Sequence, residues 1–97
     1  MSENKITVLK FFRNNCAPCR MLAKLLEGIE AELPAGVEYR EINADDDPAT
    51  CAESGIRSVP TILLVVNGEA IRHLNGVVTR DKFRRTLAEV IAEVSSI

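Results

Sequence analysis

Apolar positions along the chain switch between two periodicities, and each switch marks an element. Ile6-Thr7-Val8-Leu9-Lys10-Phe11-Phe12 is apolar at both odd and even positions, which predicts a strand buried on both faces with Lys10 as its one anomaly. From Ala17 to Leu33 the residues Met21, Leu22, Leu25, Leu26, Ile29 and Leu33 trace one helical stripe, with Arg20, Lys24, Glu27 and Glu30 off it. Pro34-Ala35-Gly36 stops that helix. Val37 to Asn43 alternates as a second strand. Asp45-Asp46-Asp47-Pro48 opens a short helix, Ala49 to Ser54, with carboxylates at the positive end of its dipole, and Gly55 closes it. Pro60 precedes Thr61 to Val66, an apolar β-branched run. Asn67-Gly68 then signals a two-residue hairpin leading into an antiparallel strand over Glu69 to Leu74. Phe83, Leu87, Val90, Ile91 and Val94 space a closing helix, with Thr79 as its N-cap and Asp81 as a first-turn acid.

The order is therefore β-α-β-α-β-β-α. A right-handed crossover through the first helix sets the first two strands parallel and adjacent, and the last two form a hairpin. An α/β fold is expected: a four-stranded mixed sheet with helices on both faces, the first and third strands central because they are the most continuously apolar. The 97 residues, 46% hydrophobic and 27% charged, suit one domain spanning 1–97. No apolar stretch approaches the roughly 18 residues of a membrane span, and Met1 to Phe12 lacks the pattern of a secretory leader. A cytoplasmic protein without membrane association is the expectation. The net charge of −2 argues against nucleic acid.

The chemistry concentrates at Cys16-Ala17-Pro18-Cys19, where the first strand gives way to the first helix. Three cysteines are too few for a secreted disulfide scaffold, and a close pair in a reducing compartment is catalytic or metal-binding more often than structural. The free N–H groups and dipole of a helix start stabilise a thiolate. Cys16, at the exposed lip, is the candidate nucleophile. Cys19, three residues on and on the same face, is the candidate resolving thiol. Pro18 suits a first turn, where its missing N–H costs nothing. The competing reading is a static bridge or half a zinc site. A lone pair is poor zinc spacing, so no metal is expected and no cofactor beyond the cysteines themselves.

Cys16-Ala17-Pro18-Cys19-Arg20, Gly55-Ile56-Arg57-Ser58-Val59-Pro60-Thr61, Asn67-Gly68 and Gly76 resemble the thioredoxin family over roughly Ile6 to Ile91. The resemblance implies the minimal thioredoxin fold and a monomeric oxidoreductase that reduces protein disulfides. Its electrons would come from a flavoprotein of the thioredoxin reductase kind or from glutathione. It further implies a cis Val59–Pro60 bond, with the Val59 backbone as an edge for extended substrate and Pro60 blocking metal capture. Gly76 would admit substrate backbone from the other side, over an apolar floor of Ala17 and Pro18. The additional N-terminal helix and strand of full-length thioredoxins are lacking, so a compact, glutaredoxin-sized member is expected. Asn15 stands where Trp is usual, and Ala17 where Gly is usual.

Lys10 occupies the strand position where these proteins carry a buried Asp, and Glu41 the position of its lysine partner. The pair looks charge-reversed. A Lys10–Glu41 ion pair would offset the cost of a charge in mid-strand and keep a carboxylate near Cys19 to accept its proton. Alternatively Lys10 reaches solvent and Glu41 is an ordinary exposed strand residue. Cys51 is read as a small semi-buried residue and His73 as a surface side chain. Arg80, Lys82, Arg84 and Arg85 are read as a solvated face able to dock an acidic reductase or substrate. Two rival functions stay open: a glutaredoxin reduced by glutathione, and a non-catalytic binding module. Size favours the glutaredoxin, but no Gly-Gly or Asp-Asp element follows the hairpin.

Overall fold

The two most continuously apolar strands take the centre of the sheet. In a computed structural model that describes residues 4–95, the strands are β1 (Ile6–Phe12), β2 (Val37–Asn43), β3 (Thr61–Val66) and β4 (Glu69–Asn75), in spatial order β2-β1-β3-β4. The first three and last two positions of the expected 1–97 domain lie outside the described residues. Strand β1 pairs in parallel with β2 and antiparallel with β3, and β3 pairs antiparallel with β4 with an irregularity at Leu64/Val65. The hairpin forms at Asn67-Gly68, whose φ angles of 52° and 87° are those a tight primed turn demands.

Alternate residues of the central strands feed two cores. Val8, Ile62 and Leu64 pack with Leu22 and Leu26 of α1 (Ala17–Leu25) and its C-cap, and with Phe83, Leu87 and Val90 of α3 (Arg80–Ser95). Phe11 and Leu63 point the other way, toward Ile42 and Cys51, the latter on α2 (Pro48–Glu53). Each such side chain, once fully buried, contributes about 1.5–3 kcal/mol. Helices therefore cover both faces. The hydroxyl of Thr79 accepts from the Lys82 N–H at 3.0 Å, as an N-cap should. At α2 the cap is Asp47, which accepts from the Thr50 N–H at 3.1 Å, so that helix runs Pro48–Glu53 rather than Ala49 to Ser54.

The expected single helix from Ala17 to Leu33 is two pieces. α1 ends at Leu25, Gly28 turns the chain with φ of 76°, and a 3₁₀ segment follows over Ile29–Glu32. Glycine at this position adopts the left-handed conformation at little cost. Only part of the stripe is buried: Leu22, Leu26 and Ile29 lie in the core, whereas Met21 is 58% exposed and Leu25 38%.

Candidate active site

The segment carrying the cysteines is held at the C-terminal end of β1 by the loop after β2. The Phe12 carbonyl accepts from the Ala44 N–H at 2.7 Å, and the Asn14 N–H donates to Asp45 Oδ2 at 2.9 Å. Asn43 Nδ2 donates to Asn14 Oδ1 at 3.1 Å, completing a clasp between the two loops. Asn15 follows with φ of 54°, a left-handed turn that Asn tolerates and most residues resist. That turn sets Cys16 as the extended N-cap of α1, and its Sγ accepts from the Cys19 N–H at 3.2 Å.

Cys16 and Cys19 are joined as a disulfide, their Cα atoms 5.2 Å apart. Cys16 is not on an exposed lip. It is 8% exposed and Cys19 7%, with their sulfurs bonded to each other. Access runs through two depressions that meet at Cys16. One, of about 300 Å³, reaches Cys19, Lys10 and Glu41, with Arg13 and Arg20 at its wall. The other, of about 350 Å³, is bounded by Ala17, Pro18, Arg57 and Val59, with Arg13 shared between the two.

The Val59–Pro60 bond is cis, as the resemblance implied. Thr61 Oγ1 donates to the Ser58 carbonyl at 2.9 Å, and the Gly76 N–H donates to the Pro60 carbonyl at 2.8 Å. The second bond brings Gly76, with φ of 80°, alongside the proline. Cysteine pair, Val59-Pro60 loop and Gly76 turn thus gather at one end of the sheet.

Lys10 does not reach solvent. Its side chain is 8% exposed, lies opposite Glu41 in the β1–β2 register, and places Nζ 3.2 Å from Glu41 Oε2. The Tyr39 hydroxyl donates to the same carboxylate oxygen at 2.8 Å. Partial burial works to raise the Glu41 pKa, but the hydrogen bonds from Tyr39 and Lys10 and the lysine charge outweigh it, so the carboxyl titrates below its ordinary 4.5. Burial, and then the Glu41 carboxylate, push the Tyr39 phenol well above its usual range.

Other candidates are not drawn in. Cys51 is a free, buried thiol in the second core, its pKa raised by desolvation and by the nearby Asp47 charge. His73 is exposed on β4. Among the described residues no group of three or more His, Cys, Asp or Glu side chains is placed to hold a metal. The basic cluster of α3 is not simply a solvated face. Arg80 donates to the carbonyls of Leu25 and Glu27 at 3.0 and 2.8 Å and to Glu32 at 2.6 Å, Arg84 also reaches Glu32, and Arg85 pairs with Asp81. Arg80 and Arg84 clamp the end of α1 and the 3₁₀ segment after it to α3. Nothing in the local spacing announced this contact, since Arg80 and Leu25 are 55 residues apart.

A cysteine pair capping a helix beside a cis proline, on a four-stranded β-α-β-α-β-β-α sheet, defines a thiol–disulfide oxidoreductase of thioredoxin architecture. A family model described as thioredoxin matches residues 1–89. The chain is 34% identical over 91 residues to a thioredoxin of Porphyra purpurea, an alignment covering 93% of this chain and 85% of that one. It is 43% identical over 68 residues to a thioredoxin of Rickettsia conorii, covering 69% and 65%. Its fold is similar to a solved thioredoxin-2, described as a component of the malaria parasite protein secretion machinery, with a TM-score of 0.80 at 18% identity, covering 92% of this chain and 86% of that one. The chain belongs to the thioredoxin family. Its Cys16–Cys19 pair makes it a dithiol–disulfide oxidoreductase, with protein disulfides as general substrates and a reductase as general partner.

Proposed function

We propose that Cys16 is the attacking thiolate and Cys19 the resolving thiol in the reduction of protein disulfides. The observation that carries this reading is the position of Cys16 Sγ, which caps α1 under the Cys19 N–H and walls the same depression as Val59. In the reduced protein that N–H and the helix dipole favour the Cys16 thiolate. It attacks one substrate sulfur, forming a mixed disulfide and expelling the other sulfur as a thiolate. Cys19 gives up its proton and attacks Cys16 Sγ, which closes the intramolecular disulfide and frees the second substrate thiol. Two electrons pass from the dithiol to the substrate, and an external reductase restores the pair. The Val59 backbone offers the edge along which an extended substrate lies, with Pro60 and Gly76 beside it and Ala17 and Pro18 beneath.

Glu41 and Lys10 act on the second step. Both line the depression that reaches Cys19, so the Glu41 carboxylate takes the Cys19 proton, directly or through water, while the lysine charge favours the thiolate. The site of action is the reducing cytoplasm, as the cysteine count suggests, and the electron source is a flavoprotein reductase rather than glutathione. Reduction of insulin with dithiothreitol as electron source tests the activity, and turnover undiminished in Cys16→Ser would overturn the assignment. Supplying electrons from a thioredoxin reductase in one arm and from glutathione in the other tests the donor. Preferential turnover with glutathione would make the protein a glutaredoxin in function.

A further inference from the structure

The chain has eight arginines, and they divide sharply by their partners. Arg72, Arg80, Arg84 and Arg85 are held by Glu93, Glu32, Glu32 and Asp81. Arg40, on β2, lies close enough to Asp47 to lower its pKa behind that carboxyl's hydrogen bonds to Thr50. The side chains of the other three, Arg13, Arg20 and Arg57, make no ion pair or hydrogen bond to a described residue, and all three residues border the depressions at Cys16. Among the described residues the one carboxylate lining either depression, Glu41, is already taken by Lys10 and Tyr39. Four cations against one carboxylate leave three uncompensated positive charges around the disulfide of a chain whose net charge is −2.

Like charges gathered without counter-ions weaken a folded protein and raise the local potential, which attracts ligands of opposite sign. A guanidinium presents a planar fork of donors matched to a carboxylate. Arg57 precedes Val59 by two residues, so it stands at the start of the edge proposed for substrate, and Arg13 lines the same depression. We infer that the polypeptide disulfides this protein prefers carry acidic residues flanking the target cystine, recognised by Arg13, Arg20 and Arg57. The inference rests on the disulfide-reductase reading above and adds the charge class of the substrate.

The test uses the full chain, pre-reduced, in single turnover against three disulfide-linked peptides that differ only in carrying two Glu, two Gln or two Lys beside the cystine. Second-order rate constants are expected to fall in the order Glu, Gln, Lys, with the spread shrinking as salt is raised from roughly 0.02 to 0.3 M. Arg13→Gln, Arg20→Gln and Arg57→Gln are each expected to slow the Glu peptide about two- to fivefold, the range of exposed charge pairs, while the Gln peptide keeps its rate. Arg57→Glu should turn the preference toward the Lys peptide. Arg85→Gln, which lowers the net charge equally far from the site, should change none of these. Equal rates for the three peptides overturn the inference. So does an equal slowing of all three by the arginine variants, which would assign the charges to the Cys16 thiolate instead of the substrate. If the reduced protein, with both thiols titrating, reduces none of the peptides, the reductase reading itself has failed.

Discussion

Lys10 Nζ and Glu41 Oε2 stand 3.2 Å apart at directly paired positions of two parallel strands, and only the lysine is buried, 8% exposed against 49%. The asymmetry decides what each substitution does. Glu41→Gln strands an ammonium inside the sheet, while Lys10→Met leaves a carboxylate that still accepts from Tyr39 and can turn to water. Breaking a fully buried pair costs about 3–5 kcal/mol. The half-exposed partner reduces that, so Glu41→Gln should lose about 1–2 kcal/mol, and Lys10→Met should stay within about 1 kcal/mol of the parent. Urea denaturation of the two variants measures both, and a larger loss for Lys10→Met would contradict this account.

The same pair governs the pH dependence of the second thiol. With the Glu41 pKa below 4.5, its carboxylate is ionised throughout the neutral range and ready to take a proton. The disulfide-reduction profile of Glu41→Gln should therefore move to higher pH, with activity lost first on its acid side. An unchanged profile removes Glu41 from the proton path.

Cys19→Ser should halt the reaction at its midpoint. Cys16 can still attack, but nothing releases the mixed disulfide, so a covalent adduct of protein and one peptide chain should accumulate. Mass spectrometry without reductant detects it. Cys16→Ser should form no adduct, and the reverse pattern would exchange the two roles.

The strands and the hairpin were legible because the apolar runs of the first and third strands, the alternation of Val37 to Asn43 and the Asn67-Gly68 turn all act locally. The cysteine pair and Pro60 were legible because their spacing is specific. The Lys10–Glu41 contact could be anticipated because a charge in a central strand demands a partner and the resemblance to thioredoxins placed Glu41 at the partner position. What escaped depended on backbone conformation or on distance along the chain. A helical stripe runs straight through Gly28 on paper, and only the left-handed turn there stops α1 at Leu25. The burial of Cys16 follows from the sulfur bond and the walls around it. At Asn15 the informative property is conformational tolerance, which a comparison of side chains with Trp does not reveal.

That tolerance gives a test of how Cys16 is aimed. Asn15 has φ of 54°, a region that costs a β-branched residue on the order of 1–2 kcal/mol. Asn15→Val should lose about that much stability, or shift the turn and slow peptide reduction without altering either thiol. Asn15→Gly adopts the angle freely and should retain both stability and rate to within a few tenths of a kcal/mol, the gain in ease offset by the freer unfolded chain. Thermal denaturation and single-turnover rates of the two variants separate the causes. Equal behaviour of Val and Gly would mean that the turn is not what positions the cysteine.

Arg80 offers the corresponding test for the end of α1. It donates to the Leu25 and Glu27 carbonyls, which the break at Gly28 leaves without helical partners, and to Glu32. Arg80→Met removes the two carbonyl bonds together and should cost about 1–2 kcal/mol. The Glu32 contact adds a pH signature. Hydrogen bonds from Arg80 and then Arg84 hold the Glu32 pKa below its ordinary 4.5, so its contribution is present above that value and fades as pH falls through the lower folded value. The parent should therefore lose stability below about pH 4.5 more steeply than Glu32→Gln, whose side chain does not titrate. Urea midpoints compared across that window measure the difference. Parallel curves would mean that the clamp rests on the carbonyl bonds of Arg80 alone.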